Sequence, residues 1–177
     1  WAKGKKEPIA NYFMIDGKKL EERNSKGLQD DYVKFIRFAQ HKMEQVEQGV
    51  IGIITNHSFL DNPTYRGMRQ SLINTFDQLY FIDLHGNSDK KETTPEGGKD
   101  ENVFDIKTGV SILLAVKEPE KRKTKQLATI HAVDLFGLRK EKFEILENSS
   151  VSKLNWKTLP QTTDVWKKVG EGEDVYK

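Results

Sequence analysis

Four histidines, His41, His57, His85 and His131, and no cysteine are the raw material for metal or nucleophilic chemistry in this 177-residue chain. No two of the histidines sit one helical turn apart, and the lack of cysteine removes thiolate ligands, disulfides and a cysteine nucleophile. The spacing therefore predicts no metal centre and gives each histidine a surface or capping role. A phosphate cradle needs a Gly-rich turn that leaves a strand and opens a helix. Gly49 and Gly52 lead into an apolar run instead of out of one, and Gly97-Gly98 lies in a polar stretch, so neither has that form. The basic run Lys121-Arg122-Lys123, with Lys125, offers phosphate contacts whose strength would fall steeply with salt. Glu118 and Glu120 dilute it, and a solvated turn between strands is the competing reading.

The elements that must position these residues are legible in the hydrophobic period. Hydrophobic residues are 36% of the chain, enough for one core of ordinary size, and 29 Lys and Arg against 27 Asp and Glu leave a formal charge of only +2. Net charge thus argues neither for nor against nucleic acid. No apolar run approaches the ~20 residues of a membrane span, so no membrane partner is expected, and a cysteine-free composition fits a cytoplasmic setting. Residues 1–29 lack a sustained period and read as an arm, with 9–15 as a short strand or turn. From Asp30 or Asp31, a plain helix-capping position, Tyr32, Phe35, Ile36, Ala39, Met43 and Val46 recur at helical spacing. The continuous apolar run from Val50 to Thr55 predicts a central parallel strand covered on both faces. Asn62 and Pro63 start the next helix, whose inward stripe is Tyr65, Met68, Leu72 and Phe76. Leu79 to Leu84 is a second strand. Helix, strand, helix, strand in this rhythm implies right-handed crossovers.

A long polar connection, residues 85–101, then precedes the strand from Val110 to Val116. With no helix before it, this strand is expected to run antiparallel to a neighbour. A further strand from Leu127 to Phe136 and a short helix from Lys140 to Leu146 follow. Residues 138–177, with Trp156 and Trp166, read as an extension toward another domain, the tryptophans serving either as hinge or as packing anchors. Loops at the carboxyl ends of parallel strands face the binding crevice, which places Asn56, His85 and Asn87 near a ligand. Asn56 serves equally well as a turn cap.

Gly49-Val-Ile-Gly-Ile-Ile-Thr-Asn56, Ser58-Phe59-Leu60, Arg66-Gly67-Met68-Arg69 with Leu72, and Val103-Phe104 with Lys107 and Val110-Ser111 resemble the second half of an adenine-specific (N6) DNA methyltransferase core. The similarity is to large restriction-modification proteins and runs from about Leu28 to Phe136. Asp30 to Ile36 resembles the helix that follows the catalytic loop in that group. The resemblance implies an α/β, Rossmann-like sheet, here partial, with parallel strands, helices and an antiparallel terminal strand. It implies double-stranded DNA and the remainder of the polypeptide as partners, and S-adenosyl-L-methionine as a cofactor held by the intact protein outside this chain. It also implies that Phe104 stacks on the flipped adenine, against the competing role of a core anchor, with Lys107 nearby. Asn62-Pro63-Thr64-Tyr65 differs by one residue from the family's Asn-Pro-Pro-Tyr catalytic loop. Thr64 breaks the double proline and only one parallel strand follows, so the true loop is expected upstream of Trp1.

The reading is thus of an enzyme fragment, inactive alone, with an apolar sheet edge left bare by missing strands. The absence of an initiator methionine is consistent with an excised segment. A non-catalytic DNA-binding or interaction module, and a generic α/β domain, are the alternatives. The first of these would bind duplex by itself, and the second would carry a nucleotide pocket within its own residues.

Overall fold

A computed structural model describes residues 12–21, 25–119, 126–163 and 166. Seven strands occur among them: β1 (Met14–Ile15), β2 (Lys18–Lys19), β3 (Gly49–Asn56), β4 (Gln78–His85), β5 (Val110–Lys117), β6 (Thr129–Asp134) and β7 (Lys157–Leu159). The helices are α1 (Asp31–Glu44), α2 (Arg66–Thr75) and α3 (Arg139–Asn148). β1 and β2 form a small hairpin, and the other five strands form one mixed sheet in the order β3-β5-β4-β6-β7.

β5 lies between β3 and β4 and is antiparallel to both, so β3 and β4 run in the same direction. β6 is parallel to β4, and β7 closes that side antiparallel to β6. The expectation of an antiparallel strand at Val110 holds, and the strand has a neighbour on each side. The central placement of Val50–Thr55 is corrected: β3 is the edge strand of the described sheet. One face of β3 packs Ile51 and Ile53 on the main core. The other leaves Val50 65% and Ile54 56% exposed. A continuous apolar run makes both faces apolar, but the described residues cover only one of them.

The main core fills the space between the sheet and α1 with α2. Val33 and Ile36 of α1 meet Met68 and Leu72 of α2 and Phe81, Leu113 and Ile130 of the sheet. The predicted α2 stripe is buried throughout. For α1 the predicted stripe is rotated: Phe35 is 64% exposed, and Val33, Ile36, Gln40 and Met43 face inward. Gln40 decides this phase, because its amide donates to Ser71 O, Ser71 Oγ and Thr75 Oγ1 while its carbonyl accepts from Tyr12 Oη. A buried amide so satisfied costs little, which lets a polar residue take a core position. Lys117, at the end of β5, donates to the carbonyls of Met43 and Val46 and places its charge at the carboxyl end of α1.

On the opposite face a second cluster gathers Ile82, Leu84, Val103, Val110 and Leu135 under Leu146, Leu154 and Trp156. Trp156 meets Tyr80 edge-on. Trp166 is fully buried against Phe81, and its backbone N–H donates to Leu60 O at 2.8 Å. Both tryptophans are packing anchors here. No helix among the described residues is long and apolar enough to cross a membrane.

Candidate nucleic-acid interface

The carboxyl ends of β3, β4 and β6 and the amino end of β5 lie at one edge of the sheet, and the connection between β4 and β5, residues 86–109, folds over it. The turn into this loop is tight. His85 adopts φ 52° and Gly86 φ 78°, and a side chain at Gly86 would collide with the backbone of Asn102. Asn102 completes the closure: its amide donates to Gly86 O at 3.1 Å and Thr108 O at 2.7 Å, and its side-chain carbonyl accepts from Phe104 N at 2.9 Å.

Two residues of α3 hold the loop from below. Lys142 and Asp100 are fully buried and paired at 2.8 Å. Lys142 also donates to Leu84 O and Glu101 O, while Asp100 accepts from Gly86 N and Gly137 N. With every partner satisfied, the pair welds α3 to the loop and to the end of β4. Arg139 donates to the carbonyls of Asn102 and Phe104 and to Asp105 Oδ1. Lys99, and then the backbone N–H of Arg139, hold the Glu101 carboxyl below its ordinary range.

The result is a cleft of about 610 Å³ lined by Gly86, Ser88, Lys99, Glu101, Phe104, Lys107 and Arg139 among others. Phe104 is 43% exposed at its wall, held by its backbone and not by core packing of its ring. The structure places Phe104 and Lys107 on the wall of the same cleft. His85 and Asn87, on either side of Gly86, are buried beneath the cleft. Asn56 ends β3 and its side chain accepts from Ser58 N at 2.7 Å, the turn-capping geometry. Lys121, Arg122 and Lys123 lie outside the described residues. Arg139, Lys142, Asp100 and Asn102 carry no signal in the sequence, since each gains its role from contacts with distant segments, as far as 58 positions away for Lys142 and Leu84 O.

The histidine expectation is corrected at two positions, because His57 and His85 are both buried. His57 Nδ1 meets Asp83 Oδ1, and His85 Nε2 meets Asp134 Oδ1, each at 2.9 Å. His57, His85 and Glu92 offer one donor atom apiece within 4.8 Å of one another, as do Asp83, His85 and Asp134. Residues 57, 85, 92 and 134 converge only through the sheet, which is why linear spacing missed them.

Gly49 and Gly52 lie inside β3, and Gly98 closes a turn with Thr94. Asn62 Oδ1 accepts from Thr64 N, and Pro63 O accepts from Arg66 N, so this tetrapeptide caps a short helical turn that leads into α2.

No family model matches the chain, and no curated protein does. Solved structures do. The DrdV-DNA complex superposes with a TM-score of 0.68 at 27% identity over 88% of this chain. LlaBIII, an ATP-dependent Type ISP restriction-modification enzyme bound to DNA, gives 0.68 at 29% over 82%. A nuclease-deletion mutant of the Type ISP enzyme LlaGI with a DNA substrate mimic gives 0.72 at 25% over 89%. This chain is similar to one segment of Type ISP restriction-modification enzymes. It spans 15%, 10% and 15% of the three neighbours respectively.

Proposed function

We infer that this chain is the carboxyl-terminal half of the core of a DNA adenine N6-methyltransferase within a restriction-modification polypeptide acting on double-stranded DNA in the cytoplasm. The observation that carries this reading is the similarity, at 25–29% identity over 82–89% of the chain, to two Type ISP restriction-modification enzymes, one bound to DNA and one to a DNA substrate mimic. The placement of β5, antiparallel between two strands of common direction, supports it, being the arrangement a methyltransferase sheet has at its end.

In this reading the 86–109 loop receives the target adenine. A base turned out of the duplex loses its stacking neighbours at a cost of a few kcal/mol. The face of Phe104 replaces one of them, worth ~1–3 kcal/mol, and Lys107 offers a cation for backbone phosphate at a cleft where Lys99 and Arg139 are paired with Glu101 and Asp105. The Lys142–Asp100 pair and Asn102 hold Phe104 in position, so no loop-ordering entropy is spent when the base arrives. S-Adenosyl-L-methionine supplies the methyl group in the intact protein. In this reading the cofactor is held by residues outside this chain, and the chain alone does not transfer methyl groups.

The test is Phe104→Ala in the intact polypeptide, with methyl transfer to DNA as the readout. A fall of ~10- to 100-fold in kcat/KM, with an unchanged melting temperature, is expected from loss of one stacking face. An unchanged rate would overturn the assignment.

A further inference from the structure

Beneath the cleft, at the ends of β3, β4 and β6, the sheet carries a row of buried polar side chains. Thr55, Ser111, Asp83 and Asp134 are successive cross-strand partners, and the first three are buried. Thr55 Oγ1 and Ser111 Oγ have no hydrogen-bond partner among the described residues. His57 follows β3 directly and reaches Asp83. His85, in its left-handed conformation, turns its ring between Asp134 and Glu92. Its Nε2 is engaged by Asp134, which leaves Nδ1 facing Asp83 Oδ2 and Glu92 Oε1, each at 3.8 Å. Phe136 stacks on the same ring at 3.8 Å and fixes its plane.

We propose that His57, His85 and Glu92 bind a divalent first-row transition metal, zinc or iron in class, that anchors the 86–109 loop to the sheet. Three features of the geometry support the site. First, each imidazole already has the partner that a metal-bound histidine requires on its other nitrogen: Asp83 for His57 and Asp134 for His85. Second, two neutral imidazoles with one carboxylate are a donor set of borderline softness that selects these metals over calcium or magnesium. Third, Asp83, Glu92 and Asp134 bring three carboxylates against two imidazoles in a buried place, where a divalent cation would offset like-charge repulsion. The donor atoms, within 4.8 Å of one another, must draw in to about 3.4 Å for tetrahedral ligation. The His85–Glu92 pair is already near this spacing. The contact of 3.5 Å between Asn87 Nδ2 and His57 Nε2 is the one that ligation would displace.

Space has been reserved at this position. Any side chain at Gly109 would strike the His57 ring, so glycine there lets the imidazole lie over the start of β5. Glu92 also accepts from Asn87 N, tying the loop's first turn to the same cluster. A bound metal would thus fix the loop from its amino end, as Lys142 fixes it at Asp100.

The experiment is elemental analysis of the intact, untagged polypeptide after dialysis against metal-free buffer, followed by titration of the chelator-stripped protein with Co²⁺. About one equivalent of zinc or iron per chain, and intense visible cobalt bands, are expected. Glu92→Gln should abolish the bands, and Asp134→Asn should weaken Co²⁺ affinity ~10- to 100-fold. Chelation should increase amide exchange across residues 86–109 in the wild type only. Absence of stoichiometric metal together with a featureless cobalt titration would overturn the proposal, as would bands that persist unchanged in Glu92→Gln. None of these readouts depends on methyl transfer.

Discussion

Lys142 illustrates how much of the cleft rests on single buried contacts. Removing its ammonium leaves the Asp100 carboxylate in a dry site with only backbone donors, so Lys142→Met should destabilise the fold by ~3–5 kcal/mol. Lys142→Met combined with Asp100→Asn should recover part of that loss, which equilibrium unfolding in urea measures. A different residue reports on pH. Burial holds the imidazole of His131, stacked on Tyr80 at 4.5 Å, below its ordinary pKa. The folded form therefore binds fewer protons than the unfolded chain. Its contribution to stability is complete above the ordinary histidine value and is lost as pH falls from there through the folded pKa. An NMR titration should place His131 below a random-coil histidine. The motif around Phe104 drew attention to a residue that lies in the cleft wall. Lys142, Asp100 and the His57–His85 cluster were not legible in the sequence, because a lysine or histidine in a polar stretch looks alike whether it faces water or a buried carboxylate.

At the scale of elements, the helical period located α1 but not its phase. Two overlapping stripes fit the sequence, and the one that wins contains Gln40 and omits Phe35. Ile36→Ala should therefore cost ~2–4 kcal/mol, while Phe35→Ser changes stability by less than ~0.5 kcal/mol, in thermal or urea unfolding. α2 kept its predicted face, and Arg69 beside it is buried as well because its guanidinium donates to the carbonyls of Phe59, Asn62 and Thr163. For β3 the composition was read correctly as a strand and its neighbours were not: antiparallel insertion of β5 depends on contacts 54 to 68 positions away, which no local period encodes.

For the molecule as a whole, Val50 and Ile54 form an apolar face on β3 that the other described residues leave exposed. In isolation the chain should self-associate through that edge, and Val50→Glu with Ile54→Lys should restore a monomer in analytical ultracentrifugation. In the intact polypeptide those positions would be covered, and the same double substitution should instead reduce its stability. The central claim is that this segment belongs to an adenine methyltransferase. It is tested most directly by nucleoside mass spectrometry of DNA from cells that express the intact polypeptide, alongside cells that express this chain only. The expected result is N6-methyladenine in the first and none in the second. DNA without N6-methyladenine in the first, or methylation produced by this chain alone, would contradict it.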